Sequence, residues 1–98
     1  MTVKEIYEQM SASGLASSQM EFSRIWLGRS PRYYSHLIAK RREPGVATLS
    51  ALIWRLDTLL AETPREDRRM LELKQQLVDL VQRRVITDRR KPQKRRDG

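Results

Sequence analysis

The sequence contains no cysteine and a single histidine, His36, among its 98 residues. Without cysteine the chain forms no disulfide, no thiolate metal site and no cysteine nucleophile. One histidine gives little support to a histidine-ligated metal site or a Ser-His-Asp triad. Because no nucleophile, acid–base pair or metal cluster stands out, the sequence predicts a protein that is not an enzyme and uses no cofactor.

Long apolar runs are missing as well. No stretch approaches the roughly 18 residues that cross a bilayer, and the first residues lack the apolar segment of a signal peptide. We therefore expect a cytoplasmic protein with no membrane partner. The length allows one small core, and a hydrophobic share of 39% is enough to form it.

Positive charge is in excess, since 20 Lys and Arg against 12 Asp and Glu give a net charge of +8. This excess favours a polyanionic partner. Residues 83–98 alone hold eight basic and two acidic residues. A second basic segment lies between Glu21 and Glu43 and has no acidic residue. Its basic residues are Arg24, Arg29, Arg32, Lys40, Arg41 and Arg42.

Apolar residues recur at helical spacing along most of the chain, and no stretch alternates with the period of a strand. The pattern predicts an all-α fold. We expect five helices, over about residues 2–13, 18–27, 31–41, 46–61 and 64–85. In the second helix the inward side chains would be Phe22, Ile25, Trp26 and Leu27, and both Trp26 and Trp54 are expected to be packing residues. Ser18 and Ser30 are placed to cap helices, while Gly14 and Gly28 are placed to end them in the left-handed conformation.

Residues 18–49 carry the functional signal. Two short helices joined by a turn that contains Gly28 are typical of a helix-turn-helix, whose second helix lies in the major groove of DNA. Tyr34, Leu37 and Ile38 would form the buried stripe of that second helix, with the aliphatic stem of Arg41 below them. Its opposite side carries Arg32, His36 and Ala39, flanked by Tyr33 and Lys40, and no carboxylate.

These residues resemble the Cro/phage-repressor (XRE-type) helix-turn-helix family. The matching segments are Ser18-Gln19-Met20-Glu21-Phe22-Ser23, Leu27-Gly28-Arg29-Ser30, Tyr34-Ser35-His36-Leu37 and Arg42-Glu43-Pro44-Gly45-Val46-Ala47-Thr48-Leu49. They span residues 18–49, about a third of the chain, and the first and fourth predicted helices extend the resemblance to about residue 60. The resemblance implies a five-helix bundle with a lambda-repressor-like helix-turn-helix that binds operator DNA, usually as a dimer.

The chain departs from the family pattern at two places. It has one additional residue before Leu27-Gly28, and Arg29 occupies a turn position that is usually aliphatic. The additional residue either rotates one helix against the other by about 100° or is absorbed in a looser turn.

The predicted recognition helix, about residues 31–41, divides its contacts between bases and phosphates. Arg32, Tyr33 and His36 are predicted to contact bases. For Arg32 the reason is that a guanidinium can bind O6 and N7 of guanine. Solvated surface positions are the alternative for each. The predicted phosphate contacts are Gln19, Arg29, Ser30, Lys40, Arg41, Arg42, Arg89, Arg90, Lys91, Lys94, Arg95 and Arg96.

The fifth helix carries an apolar band wider than a coiled-coil seam. We predict that Met70, Leu73, Leu77, Leu80 and Val81 form a homodimer interface, with cover of the chain's own core as the alternative. The chain then divides into a DNA-binding domain (1–61), a packing and dimerisation helix (62–86) and a disordered basic tail (87–98).

The sequence as a whole predicts a transcriptional regulator that binds specific double-stranded DNA, located in the cytoplasm and associated with the nucleoid when bound. A repressor or autoregulator fits best. An adaptor that binds another protein through the C-terminal helix, such as an antiactivator or antitoxin, uses the same fold. An RNA-binding protein is disfavoured because no exposed aromatic platform is evident.

Overall fold

The computed structural model describes residues 1–62 and 68–90. These residues form helices and turns, and no strand occurs among them. The helices are α1 (Val3–Ala12), α2 (an α-helical turn, Gln19–Glu21, that continues as a π-helical turn, Phe22–Trp26), α3 (Tyr33–Lys40), α4 (Val46–Glu62) and α5 (Arg68–Arg90). None of the described helices has the length and apolar content needed to cross a membrane.

Helix α1 begins at a capping box and ends at a glycine. The Thr2 hydroxyl accepts the Glu5 N–H, and the Glu5 carboxylate accepts the Thr2 N–H at 2.7 Å. Together they satisfy two of the N–H groups that a helix start leaves unpaired. Gly14 follows the helix at φ +77°, as its position in the sequence predicts.

Helix α2 contains a π-helical turn, in which the Leu27 N–H donates to the Phe22 carbonyl five residues back at 3.0 Å. Such a turn holds one residue more than an α-helical turn. The wider turn brings Trp26 and Leu27 into the core and leaves Ile25 49% exposed. The prediction that Ile25 faces inward is therefore wrong. Gly28 ends the helix at φ +66°.

Helix α3 is attached to α2 by a buried hydrogen bond. The Tyr34 N–H donates to the Ser23 hydroxyl at 2.9 Å, and Ser23 has no exposed surface. This N–H is one of those that the start of α3 would otherwise leave unpaired. The predicted N-cap Ser30 is wrong, since α3 begins at Tyr33 with Arg32 as N-cap.

Three aromatic rings join the first three helices. The ring centroid of Phe22 lies 5.3 Å from that of Tyr7 and 5.4 Å from that of Tyr34, the latter pair edge-on. Edge-to-face and tilted pairs at this spacing stabilise beyond simple burial. Burial raises the pKa of the Tyr34 hydroxyl above 10.0, and Tyr7, Glu8 and Glu43 raise it further.

Helix α5 packs along α4 and completes the core. Met70, Leu73 and Leu77 are buried within the chain itself, and Leu80 and Val81 are half-buried against the same core. The first three have almost no surface left for a second copy. The dimer interface predicted on them disagrees with this packing, and the alternative, cover of the chain's own core, describes them correctly.

The C-terminal end of α5 lies beside the loop after α3. The Arg84 guanidinium donates to the Pro44 carbonyl at 2.9 Å. The helix then continues to Arg90, so it includes the first four residues of the predicted tail. The rest of the predicted tail, with Lys91, Lys94, Arg95 and Arg96, lies outside the described residues.

Replacing Ser23 by Ala tests the bond between α2 and α3. Loss of the hydroxyl leaves the buried Tyr34 N–H without a partner, which costs about 1–3 kcal/mol. We expect urea unfolding to show this loss for Ser23→Ala, with little change for Ser50→Ala, whose side chain is exposed on α4. Equal effects of the two variants would contradict the assigned role of Ser23.

Candidate nucleic-acid interface

The outward side of α3 carries basic and small side chains. Tyr34 and Leu37 fix the inner side of the helix in the core, with 3% and 6% of their surface exposed. Ile38 is 40% exposed and Arg41 is exposed as well, so the prediction that they extend the buried stripe is wrong. At about 100° per residue the opposite side then carries His36 and Ala39, with Arg32 at the N-cap. All three are exposed. The predicted base contacts Arg32 and His36 therefore lie on one accessible face.

Tyr33 has a different environment from the other two predicted base contacts. It is half-buried, and the Arg29 guanidinium lies over its ring, 4.8 Å from the centroid. A cation stacked on an aromatic face is held electrostatically by the ring. Tyr33 thus holds Arg29 in place and has only part of its side chain available for a base.

The start of α2 places Gln19 at the surface. Ser18 caps this helix by accepting the Glu21 N–H at 3.1 Å, as its position in the sequence predicts. The Glu21 carboxylate turns back to the Ser17 N–H at 2.7 Å instead of the Ser18 N–H. Gln19 is exposed, and so are Arg29 and Ser30 in the turn before α3.

The end of α3 concentrates positive charge. Lys40, Arg41 and Arg42 are consecutive and exposed. Arg41 has φ +54° and is the one non-glycine residue with positive φ in the described chain. A side chain in this conformation costs about 1–2 kcal/mol, which glycine would avoid. The fold thus keeps a guanidinium where the backbone alone would favour glycine.

The nearest carboxylates in the sequence are both engaged with backbone groups. Glu43 accepts the Val3 N–H at 2.7 Å, at the start of α1, where the helix dipole favours a negative charge. Glu21 is bound at the start of α2. Within the described residues neither acid forms an ion pair with the basic side chains of α3.

The basic C-terminal residues begin near this face. Because Arg84 is bonded to Pro44, the last residues of α5 leave the body beside the loop that contains Arg42. Arg90 is about 9 Å further along the helix axis at 1.5 Å per residue. The backbone of Arg89 and Arg90 is helical, and the four later basic residues of the prediction lie outside the described part.

The sequence analysis missed one residue of this region, Arg55, and predicted the wrong environment for another, Trp54. Arg55 lies on α4, half-buried, beside the turn at Gly28. The one signal for it in the sequence is an isolated arginine within an apolar helix pattern. Trp54 is 66% exposed, so the prediction that it is a packing residue is wrong, whereas Trp26 is buried and donates to the Leu15 carbonyl at 3.0 Å.

Together these features define a small helical protein whose third helix exposes basic side chains and contains no carboxylate. The chain belongs to the Family of unknown function (DUF6626), whose model matches residues 3–91. Comparison with curated proteins and with solved structures gave no match.

Proposed function

We propose that this chain is a transcriptional regulator that binds specific sites on double-stranded DNA, acting as a repressor or autoregulator. The observation that carries the proposal is the exposed side of α3. It presents Arg32 and His36 on a helix whose other side is anchored by Tyr34 and Leu37. A rigid helix that presents an arginine, a histidine and small side chains outward suits the major groove.

In this proposal α2 and α3 form a helix-turn-helix of the Cro/phage-repressor type. Compared with the family pattern, α2 contains one additional residue before Leu27-Gly28. The π-helical turn at Phe22–Trp26 takes up one residue without displacing the turn and the helix after it. Gly28 then makes the turn at positive φ, and this local geometry supports the proposed motif.

The proposed division of labour assigns bases to one group of residues and phosphates to another. Arg32 and His36 read base edges. The backbone of the duplex is contacted by six other residues, all of them exposed: Gln19, Arg29, Ser30, Lys40, Arg41 and Arg42. The basic C-terminal residues add phosphate contacts that do not depend on sequence.

The base contacts are tested by Arg32→Ala and His36→Ala. Each true base contact contributes about 1–3 kcal/mol of specific binding. We expect each variant to lose that much on a duplex selected from a random pool by the wild-type protein, as measured by fluorescence anisotropy, with little loss on random duplexes.

The matched control is Arg68→Ala, which removes one exposed positive charge at the far end of α5. It should change neither affinity appreciably. Equal losses on selected and random duplexes from Arg32→Ala would contradict the assignment to bases, and no binding of the wild type to any duplex would overturn the proposed function.

Arg41 allows a test in which stability and binding separate. For Arg41→Gly the relief of the left-handed strain offsets glycine's entropy in the unfolded chain, so we expect the protein to be unchanged or up to about 1 kcal/mol more stable. Loss of a phosphate contact should nevertheless weaken binding to every duplex. The slope of log affinity against log salt should become shallower by about 0.9.

Arg42→Gly is the control, because Arg42 does not have positive φ. It should lose stability through added backbone freedom as well as losing affinity. If Arg41→Gly left the salt dependence unchanged, Arg41 would not be a phosphate contact.

The homodimer expected for such a regulator needs a different surface from the one predicted. Exposed apolar side chains on α4 and α5 provide it: Trp54, Leu71 and Val85 are 66%, 41% and 38% exposed. Leu71, Val78 and Val85 recur every seven residues and so share one side of α5. Lys74 lies on that side and pairs with Asp57 of α4 at 2.6 Å.

We propose a second copy of the chain as the occupant of this apolar face. Asp57 and Lys74 carry opposite charges on the face, so two copies related by a two-fold axis can exchange these ion pairs. An exposed tryptophan is also the residue type most often found at the energetic centre of an interface.

Sedimentation equilibrium of the full chain checks this interface. We expect Trp54→Lys to weaken dimerisation by about tenfold or more without lowering the melting temperature of the fold. Met20→Lys is the control, since Met20 is 59% exposed on α2. A wild type that stays monomeric would contradict the dimer and favour the adaptor, which would use the same face for a different protein.

A further inference from the structure

A cleft lies between the turn that precedes α3 and the side of α4. It has a volume of about 170 Å³, and its lining includes Gly28, Arg29, Thr48 and Arg55. None of its lining residues is acidic. Arginines from two different elements therefore line one small space, with no carboxylate among the other lining residues.

Arg55 is held at this cleft by its surroundings. It is half-buried, and one of its N–H groups donates to the Ala51 carbonyl at 3.3 Å. Its Nη2 lies 2.9 Å from the position that a Cβ on Gly28 would take, so the guanidinium rests directly against the turn. A side chain at residue 28 would compete for the space that the guanidinium occupies.

The charge of Arg55 has no carboxylate partner within the described part of the chain. A guanidinium has five N–H donors, and the Ala51 carbonyl takes one of them. Withdrawing an arginine partly from water is costly unless an anion compensates it. The remaining donors are thus available to an acceptor in the cleft.

Arg29 supplies the second positive group. The Arg29 guanidinium is stacked on the Tyr33 ring, and the backbone N–H of Arg29 donates to the Ser23 carbonyl at 2.9 Å. Both the backbone and the side chain of Arg29 are therefore restrained. Ala47 and Thr48 line the cleft from the first turn of α4, where the helix dipole adds to the attraction for an anion.

We propose that this cleft binds a phosphate oxyanion, held by Arg29 and Arg55. Two guanidinium groups suit the several acceptor oxygens of a phosphate, which they bind with charge-assisted hydrogen bonds. The phosphate is either a phosphodiester of bound DNA or a free phosphate group. The first source rests on the proposed function, and the second does not.

The first arm of the test uses inorganic phosphate and the full chain labelled with ¹⁵N. At constant ionic strength, phosphate should produce saturable shifts of the Gly28, Arg29 and Thr48 amide signals. Arg55→Met keeps the aliphatic stem and removes the charge, and should raise the half-saturating concentration by about tenfold or more. Arg55→Lys should restore part of the affinity, and Arg68→Met should leave it unchanged.

The second arm measures duplex binding against salt. If the site takes a phosphodiester, Arg55→Met should make the slope of log affinity against log salt shallower by about 0.9, while Arg68→Met leaves the slope as it is. The DNA source would be overturned if Arg55→Met left the salt slope unchanged but removed the response to inorganic phosphate. The site would then be assigned to a free phosphate group.

The two failures are distinguishable. Absence of saturable phosphate shifts in the wild type, or equal phosphate responses of the wild type and Arg55→Met, would overturn the oxyanion site. Absence of duplex binding by the wild type would overturn the proposed function and the DNA source, while the phosphate arm still decides the site. Circular dichroism and melting of Arg55→Met establish that the variant is folded.

Discussion

The attachment of α3 to α2 is the constraint on which the remaining features depend. The Tyr34 N–H reaches the Ser23 hydroxyl within the core, and the Tyr34 ring packs on Phe22 and Tyr7. The bond fixes where α3 begins, and the rings fix which side faces inward. Every exposed side chain of the helix takes its direction from these contacts.

The basic residues around α3 lie next to acidic residues without forming ion pairs with them in the described part of the chain. Glu43 and Glu21 each bind a backbone N–H at a helix start, where their negative charge is favourable. They therefore stabilise the fold without pairing with the arginines. Arg41 keeps a charged side chain on this surface although its backbone has the left-handed conformation that favours glycine.

Local signals predicted much of the fold. The all-helical class, the capping at Ser18, and the positive φ of Gly14 and Gly28 agree with the structure, because each depends on residues close in the chain. Helical periodicity failed where its period changes. The π-helical turn displaced Ile25 from the buried stripe, and a pattern based on 100° per residue does not register that change.

Composition, capping residues and glycine positions determined that the chain is helical, basic and free of carboxylates across α3, because these properties belong to single residues and near neighbours. Only the tertiary structure decided which apolar side chains are buried and which remain exposed. Leu77 is buried in the core while Trp54 stays exposed, and Arg55 meets Gly28 from 27 positions away. Such outcomes depend on how two helices pack, and the periodicity of one helix does not contain that information.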